Sequence, residues 1–221
     1  VFHVANSRVT TSWTNHEGRT LLTICMRTRS TSVISTLYPV DDTIESLIDP
    51  VTFLPIRFTK ILNEGRYHTD EVTTFDHAGG MAYWHNRRKK VSKEFAIASD
   101  TRDLPSLMYF LRRTSFQVGE EHSFKVMADE KIYDLFVKVT QREGVDHERY
   151  GRMQSLRLEP EAAFEGMFVR KGKMTIWVSD DARRIVTRVM AIIPVANVRI
   201  NLDEVRGPGD DFWVKKKGDK S

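Results

Sequence analysis

Histidine and carboxylate side chains are the groups with which this chain could do chemistry, and their spacing argues against most of it. Seven histidines are present. His68, His77 and His85 lie closest together, but no two share the i, i+2 spacing that puts ligands on one strand face, and no cysteine accompanies them. They read as strand and hairpin residues, and no metal site is expected. Adjacent carboxylates occur at Asp41-Asp42, Glu120-Glu121, Asp180-Asp181 and Asp210-Asp211. Neighbours on a strand point to opposite faces, so such pairs are poor acid/base dyads. Turn and cap roles suit them better. Neither a Gly-x-Ser-x-Gly elbow nor a phosphate-loop or dinucleotide glycine pattern occurs. No catalytic residue is assigned and no cofactor is implied. A hydrolase with a dispersed acidic site stands only as an alternative.

Two groups of residues are suited to binding instead. Tyr83 and Trp84 precede the basic run Arg87, Arg88, Lys89 and Lys90. Aromatics beside cations can pack on sugar rings or lie against an anionic membrane surface, where each charge contributes only about 1 kcal/mol. That limits membrane contact to a peripheral one. A solvated hairpin tip whose charges discourage edge-to-edge pairing explains the same run. The second group is the stripe Leu104, Leu107, Met108 and Leu111, with Trp177 as a further candidate. The stripe is either ordinary core or the lining of a cavity for an acyl chain. About ten buried methylenes yield roughly 8 kcal/mol, and association costs of about 4–15 kcal/mol offset much of that. Binding would be weak to moderate and reversible.

The elements that must position these residues are mostly strands. Leu22, Ile24 and Met26 share a parity, as do Leu54, Ile56, Phe58 and Leu62. Val91, Phe95 and Ile97 do so again, followed late in the chain by Val198, Ile200 and Leu202. A strand–Asp turn–strand pattern is written twice, 131 residues apart, so that Asp49 aligns with Asp180 and Arg57 with Arg188. An aspartate opening a turn accepts hydrogen bonds from backbone N–H groups further on. Residues 128–131 read as another hairpin turn. One helix is expected from Asp103 as N-cap, with Pro105 in the first turn and Arg112 and Arg113 closing the last. A shorter helical turn is expected over Glu161 to Glu165. Turn spacing suggests about ten strands.

Size and charge set the outer bounds. A chain of 221 residues is ordinary for one large β-sandwich or barrel. Its net charge of +4 lacks the concentrated basic stripe of a nucleic-acid binder, so no nucleic-acid partner is expected. A single cysteine, Cys25, sits among apolar neighbours and cannot form an internal disulfide. No stretch has the length and apolarity of a transmembrane helix. The reading is mainly β: an antiparallel, strongly curved sheet or open β-barrel with one main α-helix packed on its concave side. It occupies 1–207 as a single barrel-like domain, and the punctuated, charge-blocked segment 208–221 is expected to be a disordered tail.

Several stretches resemble one family. They are Ile44-Glu-Ser-Leu-Ile-Asp-Pro-Val-Thr-Phe-Leu-Pro-Ile-Arg-Phe58, Thr74-Phe-Asp76, Asp103-Leu-Pro-Ser-Leu-Met-Tyr-Phe-Leu-Arg112, and residues 168–202 with their Lys-Met-Thr-Ile-Trp-Val-Ser-Asp-Asp core. In order and coverage they are similar to domain-of-unknown-function family 3108, a group of exported bacterial proteins. The strand–Asp turn–strand pattern is also similar to that of lipoprotein-carrier half barrels, an architectural likeness only. The family has a proline in the second hairpin where this chain has Val186. The resemblance implies a periplasmic or other envelope location and a barrel-like sheet with a helix. The function expected is non-catalytic binding of a lipid-like or other hydrophobic envelope component on the concave side. A glycan or cell-wall polysaccharide module is the alternative.

Overall fold

The structure is a computed structural model that describes residues 3–164, 167–168, 173–193 and 196–207. The expected tail over 208–221 lies outside the described residues. β1 (Ala5–His16) and β2 (Arg19–Ser30) come first, followed by the single-turn helix α1 (Ser32–Ser35). β3 (Asp41–Ile48), β4 (Pro55–Glu64), β5 (Tyr67–Asp76), β6 (Met81–Asn86) and β7 (Val91–Ala96) follow. These seven strands make one sheet in chain order, each antiparallel to the next. After α2 (Leu104–Leu111) come β8 (Glu121–Ala128), β9 (Lys131–His147), β10 (Gly151–Phe164), β11 (Met167–Phe168), β12 (Lys173–Ser179), β13 (Val186–Ile193) and β14 (Ala196–Asn201). The second sheet runs β14-β13-β12-β10-β9-β8, with β11 on β10. Neither sheet closes on itself among the described residues, so the mainly β, open and curved reading holds.

Fourteen strands are present among the described residues where turn spacing suggested about ten. β1 shows why: it is rich in Thr, Ser and Asn and exposed along most of its length, so it carries no apolar alternation to read. A second correction concerns residues 161–164. They are not helical but continue β10, with Glu161, Ala162 and Ala163 paired to Phe136, Leu135 and Asp134. Pro160 lies beyond Leu158, where the pairing of β10 with β12 ends, so its missing N–H breaks no ladder bond on that side. Glu165, the last residue of the expected turn, lies outside the described residues.

Within the span read as one domain, contacts cluster into two compact units. The first is Val1–Phe110 with Phe124–Ile132, the second Leu111–Ser123 with Tyr133–Ser221. In the first, register decides which side chains meet. Ile24, Ser46, Phe58, Thr73, Trp84 and Lys93 form one cross-strand row. Met26, Ile44, Lys60, Glu71, Asn86 and Val91 form the next on the same face. This face is the buried one: Ile24, Ile48, Phe75, Ala82 and Trp84 lie on it or at its ends, all under a tenth exposed. Each large apolar side chain so buried contributes roughly 1.5–3 kcal/mol.

The helix sits on that face through a polar anchor. Asp103 is the N-cap, as expected: its Oδ1 accepts the Ser106 N–H at 2.7 Å, and its own N–H donates to Ser106 Oγ at 3.1 Å. Its other oxygen, Oδ2, accepts the Ser46 hydroxyl at 2.6 Å. That bond turns Pro105, Ser106 and Leu107 inward. Leu104 and Met108 are consequently 52% and 40% exposed, which corrects the expectation of one continuous buried stripe. Leu111 is half-buried, and Arg112 and Arg113 follow the helix rather than close its last turn.

The repeated hairpins are both present, with one shift between them. Leu47 pairs with Arg57 and Ile48 with Pro55, either side of a bulge. Trp177 pairs with Arg188 and Val178 with Val186, again across a bulge. The incoming strands therefore match at an offset of 130 and the return strands at 131, so the second turn is one residue longer. In the first turn Asp49 Oδ1 accepts the N–H groups of Val51 and Thr52 at 2.9 and 3.0 Å. In the second, the oxygen comes from Asp181, not Asp180: its Oδ1 accepts from Arg183 at 2.8 Å and Arg184 at 3.2 Å. Asp180 instead pairs with Arg142 at 2.6 Å.

Candidate functional site

The densest polar arrangement in the first unit lies on the buried face of its sheet. Lys60, Glu71 and Asn86 are direct cross-strand neighbours on β4, β5 and β6. Lys60 Nζ lies 3.0 Å from Glu71 Oε2, with their side chains only 14% and 10% exposed. Thr69, two residues before Glu71 and so on the same face, donates to Oε1 at 2.7 Å. Trp84 Nε1–H donates to Oε2 at 3.3 Å, and Asn86 Nδ2 donates to Oε1 at 3.4 Å and to Thr69 Oγ1 at 2.9 Å. The Glu71 carboxylate is thus saturated, as a buried charge must be.

Electrostatics follow from that saturation. Burial pushes the Glu71 carboxyl up, but hydrogen bonds from Thr69 and Lys60, with the Lys60 charge, outweigh it and hold the group below its ordinary value. Burial pulls Lys60 down, but the bonds and charges of Glu71 and Asp129 lift it above its ordinary value. Asp103 differs. Burial pushes its carboxyl above the ordinary aspartate value, and the Ser46 and Ser106 bonds offset only part of the effect.

Apolar residues surround the network. Phe75, Ala82, Trp84 and Met127 form a buried cluster, with Phe58, Phe95, Ile97 and Ile132 against it. A void of about 20 Å³ remains between the network and residues 127–130, enough for one water. Over it lies the two-residue connection between β8 and β9. Asp129 Oδ1 is 3.1 Å from Lys60 Nζ, and Glu130 pairs with Lys93, whose ammonium lies 5.5 Å from the centre of the Trp84 ring. Asp129 and Glu130 both have left-handed backbone, at φ of 47° and 60°. A larger cleft of about 250 Å³ opens elsewhere in the unit, lined by Arg29, Asp41, Asn63, His68 and neighbours. There Arg29 Nε meets Asp41 at 3.1 Å, and His68 Nδ1 meets Asn63 Oδ1 at 3.0 Å.

The residues singled out by sequence scatter across these features. Tyr83 is 44% exposed while Trp84 is 5% exposed, because successive strand residues face opposite ways. The expected aromatic pair therefore does not present one surface: Trp84 belongs to the core. Arg87, Arg88, Lys89 and Lys90 make up the exposed β6–β7 turn, with Arg87 paired to Asp70 at 3.1 Å. Trp177 belongs to the second unit, where it packs between polar groups. Its Nε1–H donates to Glu143 at 2.7 Å, and the Arg157 and Arg188 guanidiniums lie 5.8 and 6.0 Å from its ring centre. The nearby histidines stay apart in function: His77 Nε2 bonds the Pro55 carbonyl at 2.8 Å and His85 bonds Ser92 at 2.9 Å. No group of three His, Cys, Asp or Glu side chains positioned for a metal occurs among the described residues. Lys60, Glu71 and Asn86 escaped sequence reading, though one signal was available: polar residues at the parity that Phe58, Leu62 and Phe75 mark as apolar.

Comparison with known proteins agrees with this architecture. The family described as a protein of unknown function, DUF3108, matches residues 1–203. No curated protein matches. A solved structure is similar over 91% of this chain and 89% of its own, with a TM-score of 0.57 and 11% identity. It is a β-barrel-like protein of the domain of unknown function DUF1849 from Brucella abortus. At that identity the likeness shows the fold alone.

Proposed function

We propose that this chain, which belongs to DUF3108, is a non-catalytic protein of the bacterial envelope that binds an amphiphile on the buried face of its first sheet. The observation carrying this reading is the cluster of Phe58, Phe75, Trp84 and Met127 bordered by two lysines, a floor for hydrocarbon with charge at its rim. An open sheet supports it, since strands that do not close on themselves can part. Saturation of Glu71 and Asp103 by hydrogen bonds favours binding over acid–base chemistry. The envelope location rests on the resemblance to exported proteins.

Solvent extraction of the protein purified from its own host, followed by mass spectrometry, tests the reading. A stoichiometric amphiphile is expected in the extract. An empty extract, together with no uptake of a fluorescent acyl probe, would remove the reading. The saccharide alternative has one observation in its favour, the 250 Å³ cleft with planar polar side chains at Asp41, Asn63 and His68. Retention on envelope polysaccharide that disappears in Asn63→Ala and His68→Ala would favour it.

A further inference from the structure

The β8–β9 tip occupies a place that its own chemistry over-fills. Lys60 and Lys93 present two ammoniums, and Glu71 supplies one buried carboxylate against them. One positive charge is left. A single carboxylate would balance it, whereas the tip brings two, Asp129 and Glu130. The tip is also poorly suited to stay. A two-residue hairpin turn with both residues left-handed favours glycine at the second position, and the β1–β2 turn places Gly18 there, with Glu17 and Gly18 at φ of 52° and 76°. At the β8–β9 turn Glu130 holds the second position at φ 60° without being glycine, a strained choice. Asp129 is 84% exposed, so its contact with Lys60 gains little in water. Met127 and Ile132, by contrast, are anchored in the apolar cluster on either side of the tip.

We infer that Lys60 and Lys93 are the headgroup end of a site for a monoanionic amphiphile of the fatty-acid type, and that Asp129 and Glu130 fill this end in the unliganded chain. The inference rests on the amphiphile reading above and names its headgroup. Displacing residues 128–131 opens the void beneath them and exposes Phe58, Phe75 and the Trp84 ring to the chain of the ligand. Met127 and Ile132 keep the arms of the hairpin in place. The carboxylate head then takes over the two ammoniums, and Lys93 stays over the indole.

The test titrates 11-(dansylamino)undecanoic acid and its methyl ester into the full chain and into two variants. Asp129→Asn with Glu130→Gln removes the competing charges and keeps side-chain size. It should tighten the acid roughly tenfold and leave the ester unchanged. Lys93→Gln alters a half-exposed residue, so the melting temperature should not move, while affinity for the acid falls several-fold. Equal binding of acid and ester, indifferent to both variants, overturns the headgroup assignment and leaves the amphiphile reading standing. Binding of neither probe overturns both.

Discussion

Replacing Glu71 by alanine should cost the first unit more than any surface change. The substitution strips Lys60 of its buried partner and leaves Thr69, Trp84 and Asn86 without their shared acceptor. Breaking a buried pair from one side costs about 3–5 kcal/mol, because an uncompensated charge stays behind. At about 2–4 °C per kcal/mol for a chain of this length, the melting temperature should fall by roughly 6–20 °C. Circular dichroism against temperature at pH 7 reads the loss, with Lys60→Met and the double variant completing a cycle. A coupling above about 1 kcal/mol is expected between the two residues. The pH dependence is also set. The lowered Glu71 value means that its contribution is full above the unfolded glutamate value of about 4.3 and is lost as pH falls through the folded value. The raised Lys60 value means full contribution below about 10.4, lost as pH rises through the folded value. The gap between wild type and variant should therefore be widest between those limits and close in acid. A melting shift under about 2 °C at pH 7, or a gap that does not narrow in acid, would refute the reasoning.

Three further substitutions test the polar anchors. Asp181→Ala should destabilise by about 1–3 kcal/mol, since its Oδ1 accepts three bonds within the turn, from Ser179, Arg183 and Arg184. Asp180→Ala should stay within about 1 kcal/mol, its Arg142 partner being largely solvated; equal effects in urea titration would contradict the assignment. Asp103→Asn keeps an N-cap while removing a buried charge, so stability at pH 7 should rise. Because the folded Asp103 value is raised, its penalty is complete above that value and vanishes below the unfolded one, so the gain should fade on acidification. A loss exceeding 1 kcal/mol at pH 7 would count against it.

Parity was legible from sequence wherever apolar residues alternate. Leu22, Ile24 and Met26, or Phe58 and Leu62, declare their face, and Asp103 declares the helix start. Less legible was anything that depends on a partner distant in the chain. The helix stripe pointed to Leu104 and Met108, but Ser46, 57 residues earlier, fixes the helix's rotation by one hydrogen bond. Trp84 read as an exposed aromatic because it adjoins Tyr83 and a basic turn; its burial follows from the register that sets it opposite Thr73. Lys60 and Glu71 do not announce each other in the sequence, since only β4–β5 pairing brings them together. Sequence carries local rules well, and cross-strand meetings only by implication.

The longer of the two matched hairpins also says where this fold can change length. Adding one residue inside a strand would rotate every later side chain to the opposite side of the ribbon, burying Arg188 and expelling its neighbours. The extra residue in 179–185 does none of this, because a loop has no sidedness to lose. Segments 49–54 and 179–185 are therefore exchangeable parts: transplanting the shorter into the longer's place should leave both flanking ladders in register.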